Sequence, residues 1–109
     1  MRGIIITVRG FSILNDIKNI DKQRINVLCI IYEVAHASKR QGAKMKDILE
    51  WAQIDLSTYI DIIDFWVDED CITRKFEATD HEEYYLTHKG ILKVEDNLRA
   101  KLVPKIKNL

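Results

Sequence analysis

Ile72-Thr73-Arg74-Lys75-Phe76-Glu77, then a polar stretch, then Glu82-Glu83-Tyr84-Tyr85-Leu86 and Thr87-His88-Lys89-Gly90: these nineteen positions decide how the chain is read. Ile72, Arg74 and Phe76 alternate with Thr73, Lys75 and Glu77, a period of two that marks a strand. Ala78-Thr79-Asp80-His81 has turn composition, and Glu82–Leu86 reads as the returning strand, so residues 72–86 form a hairpin. Leu86 closes that hairpin over the core. Thr87 follows with a hydroxyl that caps the first turn of a helix. Gly90 allows that helix to approach the domain closely. The helix covers residues 87–103, with Ile91, Val94, Leu98 and Leu102 at helical spacing and Leu92 beside them. Pro104 is expected to end or kink it.

Before the hairpin the period is helical. Asp21 is a good N-cap, and Ile25, Leu28, Cys29, Tyr32 and Ala35 or His36 recur at three and four residues. Lys39 and Arg40 complement the negative end of a first helix over 21–41, and Gly42 stops it. A short second helix over 45–53 turns Met45, Ile48, Leu49 and Ala52 inward. Asp55 caps a third over 56–69, with Tyr59, Ile62, Ile63, Trp66 and Val67 inward. Residues 1–20 form an extension: Ile4–Val8 has strand propensity, and Ser12 can cap a short helix over 12–19. The expected organisation is an extension over 1–20, a domain over 21–103 and a tail over 104–109.

The fold class is thus mainly α with a small β-hairpin. Three helices followed by a hairpin is the order of a winged helix-turn-helix, in which the hairpin is the wing. Two stretches resemble the small winged helix-turn-helix DNA-binding regulators of archaea and archaeal viruses. That group ends its third helix in an apolar-apolar-acidic-basic-Gly-apolar-Ile corner, where this chain has Trp66-Val67-Asp68-Glu69-Asp70-Cys71-Ile72. The group's second wing strand runs on as Tyr-x-Leu-Thr-x-Lys-Gly, here Tyr84-Tyr85-Leu86-Thr87-His88-Lys89-Gly90. Asp70 replaces the usual glycine and tolerates a left-handed backbone better than most residues. The resemblance implies an archaeal or archaeal-virus source, transcription regulation and a C-terminal helix that joins two copies.

The chain has 109 residues, enough for one domain with a modest core. No apolar run approaches a membrane span or a secretion signal, and two cysteines are few for a small secreted protein, so a cytoplasmic location is expected. The 17 basic and 17 acidic side chains cancel, yet they are segregated. Residues 1–46 carry +6, residues 47–83 carry −10 and residues 84–109 carry +4. No Lys or Arg lies between Lys46 and Arg74.

For double-stranded DNA the third helix is expected in the major groove, with Ser57, Thr58 and Ile60 facing bases. Lys44, Lys46, Arg74 and Lys75 are the expected phosphate contacts, and a solvated surface charge is the plain alternative for each. Asp61 opposes phosphates unless it reads a cytosine amine. A homodimer is expected through Ile91, Val94, Leu98 and Leu102, because a two-fold pair presents two recognition helices to two half-sites. The rival expectation is a protein-interaction module whose acidic 47–83 face binds a basic protein surface or imitates DNA. His36, His81 and His88 lack metal-ligand spacing, so no metal or cofactor is expected. Asp61, Asp64 and Asp68 form a helical stripe without a nucleophile or Gly-rich loop, so no catalytic residue and no enzyme is expected. Cys29 and Cys71 fall on apolar positions as inert thiols. Trp66 fits a core position, whereas Trp51 fits either core or surface.

Overall fold

The computed structural model describes the backbone of residues 2–107 and the side chains of residues 16–101. Seven elements follow in order: α1 (Arg2–Val34), β1 (Ala43–Lys44), α2 (Met45–Ala52), α3 (Leu56–Asp68), β2 (Ile72–Lys75), β3 (Glu83–Leu86) and α4 (His88–Lys107). The strand expected over Ile4–Val8 does not form. The backbone from Arg2 to Val34 is one helix, and no break falls at residue 20. Strand propensity is a weak guide where no partner strand is available to pair.

The first helix also ends earlier than Gly42 suggested. After Val34, His36 (φ 50°) and Ala37 (φ 57°) turn left-handed. The Ala37 N–H then donates to the Tyr32 carbonyl at 2.9 Å, as a helix C-terminus requires. Lys39 and Arg40 therefore lie in the following turn. At the far end the helical backbone continues past Pro104 to Lys107, so Pro104 does not end α4.

The hairpin forms as expected, with Ile72 opposite Leu86 and Arg74 opposite Tyr84. A third strand adds to it. β1 pairs with β3, Ala43 opposite Tyr84 and Lys44 opposite Glu83, so the antiparallel order is β1-β3-β2. Two residues carry no readable period, which is why the sequence does not announce this strand.

The core lies between α1, α2, α3, the sheet and the start of α4. Val27, Leu28, Ile30, Ile31 and Ala35 of α1 and its turn bury there with Ile48, Tyr59, Ile62, Ile63, Trp66, Tyr84, Leu86 and Val94. The buried stripe of α1 is wider than the sequence reading, because neighbours cover it from several sides. Trp66 is a core residue, and its indole N–H donates to the Arg24 carbonyl at 2.8 Å, tying α3 to α1. Trp51 is 67% exposed. Cys71 is buried and Cys29 half-buried; burial pushes both thiols up, as inert thiols require.

The corner between α3 and the wing is built as the Leu86–Gly90 element suggested. Asp70 is left-handed (φ 60°). The Thr87 hydroxyl donates to the Asp70 carbonyl at 2.5 Å and accepts from the Gly90 N–H at 3.0 Å, capping α4. The Thr87 N–H donates to the Cys71 carbonyl at 3.0 Å. A β-carbon at position 90 would lie 2.0 Å from that same carbonyl oxygen, so only glycine fits.

Candidate nucleic-acid interface

α3 is held from behind and bare in front. Its rear face buries Tyr59, Ile62, Ile63 and Trp66. Its N-terminus is capped by Asp55, which accepts from the Thr58 N–H at 3.2 Å and from the Thr58 hydroxyl at 2.6 Å. The Thr58 hydroxyl, then its N–H, holds the Asp55 carboxyl below its ordinary range. Leu56, Ser57, Ile60, Asp61, Asp64 and Asp68 are exposed.

A buried polar relay joins α3 to the wing. The Tyr59 hydroxyl donates to the Tyr84 hydroxyl at 2.7 Å, and Tyr84 donates to the Glu82 carboxylate. The other Glu82 oxygen accepts the Ala78 N–H at 3.0 Å. Burial pushes both tyrosine hydroxyls well above their ordinary range, and for Tyr84 the bond to Glu82 adds to it. They remain donors at any working pH. Tyr59, Tyr84 and Glu82 each have a hydrogen-bond partner, which is what keeps a buried polar group from destabilising the fold.

Arg74 occupies the outer end of this relay. It meets Asp64 of α3 at 2.9 Å, Glu77 at 3.0 Å and Glu82 at 3.7 Å, and its side chain is only 15% exposed. Burial works against its charge, but Asp64, Glu82 and Glu77 outweigh it and raise its pKa. Three carboxylates already answer this guanidinium, so it braces the wing against α3 and is not an available phosphate contact.

The other expected contacts divide into two groups. Lys44, at the N-terminus of α2, and Lys46 are exposed, and they line one groove with Phe76, Asp80, His81 and Glu83 of the wing. The Met45 N–H donates to the Glu82 carbonyl at 3.0 Å, which fixes α2 beside the wing loop. Lys75 is exposed, its ammonium 4.5 Å from the centre of the Tyr85 ring. Ser57 and Ile60 are exposed on α3. Thr58 is the exception: its hydroxyl proton is committed to Asp55, and with Asp61 it lines a hollow against Ile20, Gln23 and Arg24 of α1. That is the side of α3 turned towards α1, so base reading by Thr58 is not what the structure favours.

The expected dimer seam is also redistributed. Val94 is 1% exposed within the single chain and Ile91 packs on the core. Leu98 is 44% exposed, beside Lys22, Ile25, Asn26 and Cys29 of α1. The Tyr32 hydroxyl donates to Glu95 at 3.0 Å, holding α4 along α1. The first half of the spacing that suggests a seam between copies, Ile91 and Val94, packs on the chain's own core; the Leu102 side chain lies outside the described residues. Strand alternation would turn Phe76 inward with Ile72 and Arg74. Instead β2 stops at Lys75, Phe76 turns left-handed (φ 56°), and its ring is 60% exposed.

Comparison with solved structures decides the architecture. The chain has a winged helix-turn-helix fold. It is similar to MepR of Staphylococcus aureus, described as a transcription regulator of the multidrug efflux pump MepA, with a TM-score of 0.55 and 21% identity over 91% of this chain and 81% of that one. A point mutant of that protein gives a TM-score of 0.55 at 22% identity over the same shares. No family model matches the chain, and no curated protein matches it. The similar structures are bacterial, so they support the winged-helix reading of residues 84–90 and not its archaeal colouring. Among the described residues no helix is long and apolar enough to cross a membrane, and no group of His, Cys, Asp and Glu is arranged to hold a metal ion.

Proposed function

We propose that the chain is a transcription regulator that binds double-stranded DNA as a homodimer. One observation carries the reading: α3 is fixed from behind at Trp66 and Tyr59 while its front is exposed, beside a wing and an α2 N-terminus that display Lys44, Lys46 and Lys75. A helix so presented enters a major groove, and the flanking cations meet phosphates. The acidic charge is less obstructive than its sum suggests, because Asp55 caps α3 and Asp64 pairs with Arg74. Asp61 has no such role among the described residues. The dimer is supported by Ile17 and Ile20 on α1 and by Leu98 on α4, apolar side chains that are exposed in the single chain. The fold's similarity to MepR, itself described as a transcription regulator, fits this reading.

The test is titration of a duplex with the protein over a range of salt. Lys44, Lys46 and Lys75, doubled in a dimer, give a log–log slope of about −5 and a complex of two chains per duplex. Lys46→Ala removes one phosphate contact per chain and flattens the slope by about 2, weakening all sequences alike. A second reading rests on the exposed Leu56 and Ile60 next to Asp61: an apolar and acidic face suited to a basic protein surface. Absence of duplex binding at low salt, in the wild type and in Asp61→Lys, would leave that reading standing instead.

A further inference from the structure

The wing tip carries a feature that phosphate contacts do not explain. Phe76 is a large apolar ring, 60% exposed, on a left-handed backbone that is unfavourable for any residue with a β-carbon. The loop is nonetheless braced. The Phe76 carbonyl accepts the Thr79 N–H at 3.2 Å and the Thr79 hydroxyl at 2.6 Å. Two residues on, Ala78 is also left-handed, and its N–H donates to buried Glu82 at 3.0 Å. The loop thus holds an aromatic ring fixed and out in water.

The surroundings say which partner. Phe76 shares its groove with Lys44, Lys46 and His81, and Lys75 precedes it. The acidic members of the groove are Asp80 and Glu83, and Glu83 already accepts the Tyr85 hydroxyl at 2.9 Å. Lys44, Lys46 and Lys75 outnumber Asp80 and Glu83 around the ring, and an apolar ring so flanked matches a surface with negative charge outside and flat apolar faces inside, which describes stacked base pairs between phosphate strands. A basic protein surface would instead be repelled by these lysines.

We propose that Phe76 is a wedge: the wing lies along the minor groove and the ring enters between two base pairs, partly unstacking them and bending the duplex. Lys44 and Lys46 hold the flanking phosphates. Apolar side chains used this way kink DNA most readily at flexible pyrimidine–purine steps. The inference rests on the DNA reading above and adds a deformation that the reading does not require.

The experiment uses the full chain and a duplex of about 25 base pairs with 2-aminopurine at central TA steps, at low salt, with the duplex ends labelled for energy transfer. The wild type should raise 2-aminopurine emission severalfold and shorten the end-to-end distance. Phe76→Gly removes the ring but suits the left-handed backbone, so its melting temperature should match or exceed the wild type. It should lose the emission rise and the bend, and bind about tenfold more weakly, within the range known for a lost aromatic–base stack. Phe76→Trp should keep both signals. Binding by the wild type without an emission rise, or an equal rise with Phe76→Gly, overturns the wedge and leaves the DNA reading intact. No binding by the wild type overturns both.

Discussion

Replacing Gly90 with alanine should cost about 3 kcal/mol or more, a large share of the stability of a domain this small. The new β-carbon would sit 2.0 Å from the Cys71 carbonyl oxygen and 2.9 Å from its carbon. Overpacking against a side chain is relieved by a change of rotamer. Here the obstacle is backbone, and that carbonyl also accepts the Thr87 N–H at 3.0 Å. Either α4 lifts from the corner, which loosens the Thr87 cap and the burial of Val94, or the Asp70–Cys71 turn shifts and drags β2 with it. Urea denaturation of Gly90→Ala beside exposed Lys89→Ala checks this. The lysine variant should stay within about 0.5 kcal/mol of the wild type. A Gly90→Ala protein as stable as the wild type would mean that α4 does not dock on Cys71 as described.

Arg74→Ala should lower stability by about 2 kcal/mol while leaving the DNA affinity of the folded protein unchanged. Breaking a fully buried ion pair costs ~3–5 kcal/mol, chiefly because a charge is left without its partner. Two of the partners here, Asp64 and Glu77, are well exposed and lose less. Glu82 is the decisive one. Its side chain is 10% exposed, and it holds both the Tyr84 hydroxyl and the Ala78 N–H. Without Arg74 its carboxylate keeps those donors but loses the one ion pair it makes among the described residues. Arg74→Lys should recover only part of the loss, since one ammonium cannot serve three carboxylates in a planar fork. Thermal melts measure the first effect, and duplex titration corrected for folded fraction measures the second. A uniform loss of DNA affinity with full stability would return Arg74 to the phosphate contacts.

This arginine shows where sequence reading stops. The period-two pattern places Arg74 on the inward face of the hairpin, which is correct, but its type suggests a phosphate contact. Its partners Asp64, Glu77 and Glu82 come from α3, the wing loop and the sequence just before β3. Only the folded corner brings them together. Thr58 misleads for a related reason: a hydroxyl near the start of a recognition helix suits a base edge, but Asp55, three residues earlier, takes it first. Val94 falls at coiled-coil spacing, and periodicity cannot distinguish a partner copy from the core of the same chain. By contrast the Thr87 cap, the Gly90 approach and the left-handed Asp70 are legible, because each follows from local backbone chemistry within a few residues. Phe76 escapes notice because alternation says nothing of where a strand ends. Two residues of β1 and the unbroken α1 are hidden for want of any local signal.

In the proposed complex one surface, made from the front of α3, the N-terminus of α2 and the wing, meets double-stranded DNA. Backbone amide shifts recorded by NMR during titration with a duplex test it most directly. Shifts should concentrate at Lys44, Lys46, Ser57, Ile60, Lys75 and Phe76, while Arg74 and Val94 move little. Shifts confined to α1 and α4, or a spectrum that low-salt duplex leaves unchanged, would contradict it.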